Sequence, residues 1–290
     1  MLPKKIFLKD IIIIKLIMVS FLLLIKTSHS IEQYTAHGGP VKGLAVSASN
    51  NLMASASFDY SVVIWDLNPI KEKLTLIGHD AAVNTVKFSP NNDFLASGGD
   101  DNNILLWALK DINNLNEEIQ PIKLGNHRGK IADLEFSNNG RYLISASWDG
   151  TVGVWDLKKR KQINSLVGHK GPVYAVKYSK DNKHIYSSGY DGDIKLWKAN
   201  SGEYVRPIVK NGWGISKFEV DEKLNFIAFG STDGQIKINK FDKDETILNI
   251  KEDRVPILSM YYLENENMIS FGNAKGRMII LDTKKWSLVR

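Results

Sequence analysis

Histidine, serine and aspartate recur together along this chain. The sets are His37, Ser55, Asp59; His79, Ser97, Asp101; His127, Ser145, Asp149; and His169, Ser187, Asp191. In each set the serine follows the histidine by 18 residues and the aspartate follows it by 22. These are the residue types of a nucleophile, its base and the carboxylate that orients the base, so hydrolysis is the first chemistry to weigh. A tryptophan stands 28 residues after each histidine: Trp65, Trp107, Trp155 and Trp197. One active site needs one set, and four sets at constant spacing predict a structural device repeated in each unit. A buried indole N–H needs an acceptor, and a buried imidazole needs a partner at each nitrogen. An aspartate at a turn can accept from a backbone N–H and the histidine together. Such a network costs little when closed and much when broken. No catalytic residue is expected.

Other chemistries find no residues to carry them. Four of the six histidines occupy the repeated slot, so each faces its own unit and not a common metal. His29 lies near the N-terminus and His184 stands alone, so no metal site is expected. Phosphate-loop, zinc-protease and nucleophile-elbow patterns are absent from the sequence. With no cysteine, the chain holds no disulfide, thiolate metal site or covalently attached haem. No cofactor is expected. The net charge of +6 comes mostly from residues 1–30; beyond them 33 basic residues face 31 acidic ones. The basic pI of 9.1 therefore does not point to nucleic acid.

The elements that position these residues form a repeat. Unit starts at His37, His79, His127, His169, Asn211 and Asp253 are separated by 42, 48, 42, 42 and 42 residues. The six extra residues of the long step lie in a polar, Asn-rich stretch within 111–125. Four residues into each unit stand Val41, Val83, Ile131, Val173, Ile215 and Ile257, and apolar residues recur at offsets 7 and 9, which predicts a strand with one buried face. Offsets 25 and 27 are apolar throughout, from Val62 and Ile64 to Met278 and Ile280, which predicts a second strand. Asp149-Gly150, Asp191-Gly192 and Asp233-Gly234 precede it as hairpin turns. Units five and six keep the strands but lose the polar set. Phe229 and Phe271 replace serine, and Asn239 and Leu281 replace tryptophan, so apolar packing is expected to hold them.

These residues resemble the WD-repeat family. Trp65-Asp66 and Trp155-Asp156 are its dipeptide, Gly78-His79 and Gly168-His169 are its opening pair, and the match covers nearly all of residues 37–282. The resemblance implies an all-β propeller of four-stranded antiparallel blades around a channel, with His, Ser, Asp and Trp hydrogen-bonded inside each blade. It also implies an outer strand before each unit. Residues 31–36 look like such a strand and 286–290 like another, so six recognisable blades are either a six-bladed ring with a spare strand or a seven-bladed ring missing most of its last blade. The second is preferred, because an open ring exposes strand edges. Gly38–Leu44, Ser57–Val62 and Gly78–Asn84 are similar to exported proteobacterial WD-repeat proteins, some of which carry a c-type cytochrome domain. That resemblance implies a c-type cytochrome as one possible partner, although no Cys-x-x-Cys-His occurs here.

Lys4, Lys5 and Lys9, the apolar run Ile11–Ile25 and Ser28-His29-Ser30 predict a signal peptide cleaved after Ser30, leaving a propeller domain over 31–290 in the periplasm or outside the cell. The alternative is an N-terminal membrane anchor, but a 15-residue run containing Lys15 is short of the roughly 20 residues a span needs. The remaining signal is at the turns. Just before the turn position, which is aspartate in units one to five and Lys275 in unit six, stand Phe58, Asp100, Trp148, Tyr190, Thr232 and Ala274. Phe58, Trp148 and Tyr190 on one rim suggest a protein-binding surface, the plainer alternative being packing against neighbouring loops. The leading expectation is an exported scaffold without catalysis; an electron-transfer accessory and a propeller enzyme with an unfamiliar channel site are the alternatives.

Overall fold

The computed structural model describes residues 33–289 apart from 48, 111, 113–118, 244 and 252–253. The chain divides into Met1–Ala36 and His37–Arg290, and the second unit contains every described strand. The signal-peptide residues lie outside the described residues. No helix among the described residues is long and apolar enough to cross a membrane.

His37–Arg290 folds as six antiparallel sheets of four consecutive strands each. Blade one comprises β1 (Val41–Ser47), β2 (Leu52–Ser57), β3 (Ser61–Leu67) and β4 (Ile70–Ile77). Blade two comprises β5 (Val83–Phe88), β6 (Phe94–Gly99), β7 (Asn103–Ala108) and β8 (Ile122–Asn126). Blade three comprises β9 (Ile131–Phe136), β10 (Tyr142–Ser147), β11 (Thr151–Asp156) and β12 (Lys161–Val167). Blade four comprises β13 (Val173–Tyr178), β14 (His184–Gly189), β15 (Asp193–Lys198) and β16 (Tyr204–Lys210). Blade five comprises β17 (Ile215–Asp221), β18 (Phe226–Ser231), β19 (Gln235–Lys240) and β20 (Thr246–Lys251). Blade six comprises β21 (Ile257–Leu263), β22 (Met268–Asn273), β23 (Met278–Asp282) and a two-residue outer strand, β24 (Ser287–Leu288). Residues 33–36 form no strand, unlike the sequence expectation for 31–36; residues 31–32 lie outside the described residues.

The turns explain the register. Residue 23 of each unit has a positive φ: Asn102, Gly150, Gly192, Gly234 and Gly276, with Tyr60 at +73° in blade one. A side chain at Gly192 would place its Cβ 2.1 Å from the Asn211 carbonyl oxygen, so backbone approach as well as φ selects glycine there.

Blades are joined by apolar layers. Ala54, Ala56, Val62 and Ile64 of blade one pack on Val83, Val86, Leu95 and Trp107 of blade two, and equivalent layers join each later pair. Among the described residues there are five such layers for six blades, and none joins blade six to blade one. The consequence is visible on blade one. Val83 and Val86 of blade two are 0% and 1% exposed, whereas Val41 and Leu44 at the same positions of blade one are 48% and 64% exposed. The innermost strands β1, β5, β9, β13, β17 and β21 pack in that order.

Candidate functional site

Each of the first four blades holds its histidine, serine, aspartate and tryptophan in one hydrogen-bonded chain. In blade three, Trp155 Nε1–H donates to Ser145 Oγ (2.8 Å), Ser145 Oγ lies 2.7 Å from His127 Nε2, and His127 Nδ1 lies 2.9 Å from Asp149 Oδ2. One proton arrangement satisfies every atom. Asp149 accepts from Nδ1–H, Nε2 accepts from the serine hydroxyl, and the serine oxygen accepts from the indole. Blade one matches it (2.8, 2.7 and 2.9 Å through Trp65, Ser55, His37 and Asp59). So do blade two (2.9, 2.7 and 2.8 Å through Trp107, Ser97, His79 and Asp101) and blade four (2.8 Å at each step through Trp197, Ser187, His169 and Asp191). All four serines are buried, and each hydroxyl has its donor and acceptor inside its own blade.

The aspartates clamp the turns. Asp149 Oδ2 also accepts the Arg128 N–H (3.0 Å), and Oδ1 accepts the Thr151 N–H (2.9 Å) and hydroxyl (2.7 Å). Burial pushes these carboxyls up, but their hydrogen bonds outweigh it. Asp59 is held at about 2 by Ser61, Gly38 and His37, and Asp101 at about 2 by His79, Asn103 and Asp80. Asp149 and Asp191 are likewise lowered. Burial lowers the His127 imidazole despite Asp149 beside it, in keeping with a neutral ring. Blade four adds a cation: Lys195 Nζ lies 3.0 Å from Asp191 and 2.5 Å from Asp193.

Blades five and six lack this chain of bonds. Phe229 and Phe271 are 1% exposed and fill the serine positions, and Leu281 fills the tryptophan position of blade six. In blade five, Lys237 Nζ donates to Asn211 Oδ1 (2.9 Å), and Asn211 Nδ2 donates to the Trp213 carbonyl (3.0 Å), fixing the loop that carries Trp213. Among the described residues, no group of histidine, aspartate and glutamate could hold a metal ion.

The inner strands carry a second polar system that the sequence pattern did not single out. Residue 8 of successive units is Ala45, Lys87, Glu135, Lys177, Glu219 and Tyr261. Lys87 Nζ pairs with Glu135 across blades two and three (3.4 Å), and Lys177 pairs with Glu219 across blades four and five (2.9 Å). Lys217 Nζ lies 3.6 Å from Asp133, linking blades five and three. Three cations thus balance three carboxylates along the inner wall. Burial lowers Lys177, but Glu219 and Glu135 outweigh it and hold its ammonium above the usual lysine range. The signal was the charge alternation at one repeat offset, which is legible only after the units are aligned.

The rim is where exposed aromatics collect. Phe58, Trp148 and Tyr190 are 43%, 51% and 64% exposed. Lys42 Nζ lies 5.9 Å from the Phe58 ring centre, and Lys130 Nζ 5.6 Å from that of Trp148. Trp148 meets Tyr174 edge to face at 6.4 Å between ring centres, and the pairing of Val173 with Gly189 sets Tyr190 next to Tyr174. Trp213 is exposed, and its carbonyl oxygen borders Gly192 beside Tyr190. Trp148, Tyr174 and Tyr190 therefore form one arc over blades three and four, and the loop carrying Trp213 runs beside it. Phe58 stands apart, because blade two presents Asp100, ion-paired to Lys130 and bonded to Asn84 Nδ2 (2.7 Å). Two clefts, of 230 and 340 Å³, have neither a tetrad residue nor a rim aromatic in their linings.

Six four-stranded blades, four of them carrying the hydrogen-bonded His–Ser–Asp–Trp chain, define a WD-repeat-like β-propeller. The family model of the TEP-1 second beta-propeller matches residues 17–216, and the chain belongs to that family. A comparison with curated proteins gave no match.

Proposed function

We propose that this chain is an exported protein-interaction scaffold without catalytic activity, which holds a protein partner on its aromatic rim. The observation that carries the reading is the exposure of Phe58, Trp148 and Tyr190 at one repeat position, so that a single face presents all three. Large aromatics held on rigid turns are efficient binding anchors, since little side-chain freedom is lost on docking. The tetrads support the scaffold reading: each serine hydroxyl is saturated by its own blade and is not free to act as a nucleophile.

The triple variant Phe58→Ala/Trp148→Ala/Tyr190→Ala should keep its denaturation midpoint within the equivalent of about 1 kcal/mol. It should lose the partner that the wild-type chain retains in a pull-down, because truncating a binding anchor costs about 2 kcal/mol or more. Unfolding of the variant would make the three aromatics packing residues, and retention of every partner would move the binding face elsewhere.

Export rests on the charged start, the apolar run and Ser28-His29-Ser30. N-terminal sequencing of protein recovered from the periplasm or medium should begin at Ile31; full-length chain in the membrane fraction would instead make it an anchored protein.

A further inference from the structure

We propose that the arc over blades three and four binds an acidic peptide segment carrying one aromatic or large apolar residue. The proposal deepens the rim reading above and rests on it.

The aromatic part of the site is continuous. Trp148 meets Tyr174 across the boundary between blades three and four, the Val173–Gly189 pair sets Tyr190 next to Tyr174, and the loop carrying Trp213 runs against the Tyr190 backbone. The rings stand on rigid supports. The Asp149 and Asp191 turns beneath Trp148 and Tyr190 are clamped by their tetrads, and Gly129 lets the neighbouring loop approach the Trp148 backbone closely. A platform of this kind offers an apolar residue a fixed surface.

The exposed charge around the platform that carries no partner is positive. Arg128 and Lys170 directly follow the tetrad histidines. Their backbone N–H groups are held by Asp149 and Asp191 at 3.0 Å each, which fixes both residues beside the aromatics. Their side chains are exposed and have no carboxylate partner among the described residues, and Lys210 at the end of β16 is exposed in the same way. The carboxylates of this arc are occupied: Asp149 by its histidine, Asp191 by its histidine and Lys195, and Asp193 by Lys195. These aspartates remain ionised, but they are turned inward onto their donors, so among the described residues of the arc the exposed charge without a partner is that of Arg128, Lys170 and Lys210. That exposed positive charge is complementary to carboxylates flanking an apolar anchor. A single-stranded nucleic acid would also use aromatics and cations, but it needs a basic groove that tracks successive phosphates. Here Arg128 and Lys170 stand on two loops and Lys210 at the end of β16, on three separate elements.

The test uses the full chain and three labelled probes followed by fluorescence anisotropy. The first is an eleven-residue peptide of glutamates with a central phenylalanine, the second is its glutamine counterpart, and the third is oligothymidylate of ten nucleotides. The glutamate peptide should bind saturably and at least tenfold more tightly than the glutamine peptide. Its binding should weaken at least tenfold in Arg128→Glu/Lys170→Glu/Lys210→Glu, and as much in Trp148→Ala/Tyr190→Ala. Equal binding of the two peptides, absence of saturable binding, unchanged binding by the charge-reversed variant, or tighter binding of oligothymidylate would overturn the proposal. The peptide comparison on the wild-type chain decides the matter even where a variant folds poorly. If the triple alanine rim variant loses its partner while the charge-reversed variant keeps it, the rim reading stands and the acidic ligand falls. If the rim variant keeps its partner, both fall.

Discussion

Asp149→Ala should destabilise the chain by about 2–4 kcal/mol, while Asp80→Ala should change stability by less than about 0.5 kcal/mol. Asp149 is the acceptor for the His127 ring, the Arg128 and Thr151 N–H groups and the Thr151 hydroxyl. Removing it strands four donors at one turn, and the buried imidazole cannot turn to water for a substitute. The Asp80 side chain is exposed and makes no hydrogen bond or ion pair among the described residues. The same bonds set the response to acid. The tetrad carboxyls are depressed in the folded chain, to about 2 at Asp59 and Asp101 against an ordinary value of 3.8, so the unfolded chain takes up protons first as pH falls. Their stabilisation is complete above about pH 4 and is lost as pH falls toward 2. His127 is also depressed, below 6.5, so a smaller loss begins as pH falls below that value. Urea midpoints measured from pH 7 to pH 2 should fall in two stages in the wild type, with a shallower acid limb in Asp149→Ala. Equal midpoints for Asp149→Ala and Asp80→Ala at pH 7 would show that the tetrad does not hold the blade.

Lys177→Glu should be among the most damaging single changes, at about 3 kcal/mol or more, because like charges brought together in a partly enclosed site cost several kcal/mol. Lys177 lies between Glu135 and Glu219 on the inner wall, with Asp133 near enough to raise its ammonium further. Reversal would set four carboxylates against Lys87 and Lys217. The double variant Lys177→Glu/Glu219→Lys restores the opposite-sign pair between blades four and five, and should recover at least about 1 kcal/mol of the loss in a double-mutant cycle. No recovery would mean that the charges are solvated independently, and that the apolar layers alone hold adjacent blades in register.

Much of this was legible in the sequence. The 42-residue step, the apolar offsets and the Asp-Gly turns are local properties, since each blade is built from four consecutive strands and needs no distant segment to complete its hydrogen bonding. The types and spacing of His127, Ser145, Asp149 and Trp155 likewise put an acceptor opposite each donor within a single unit. Phe229 and Phe271 marked the two blades where packing replaces that network. The rest depends on neighbours that lie one or two units away, and tertiary structure decided it. Trp148 and Tyr190 share a repeat position, but only the packing of blade four on blade three brings Tyr174 between them. Phe58 has the same position and stands apart, because blade two presents Asp100 and its bonds to Asn84 and Lys130. The Lys87–Glu219 charge series becomes a set of ion pairs only where successive inner strands meet. Val41 and Leu44 have the same apolar character as Val83 and Val86, and the sequence pattern treats them alike. The adjoining blade covers one pair and not the other, and burial is a property of that neighbour as much as of the residue.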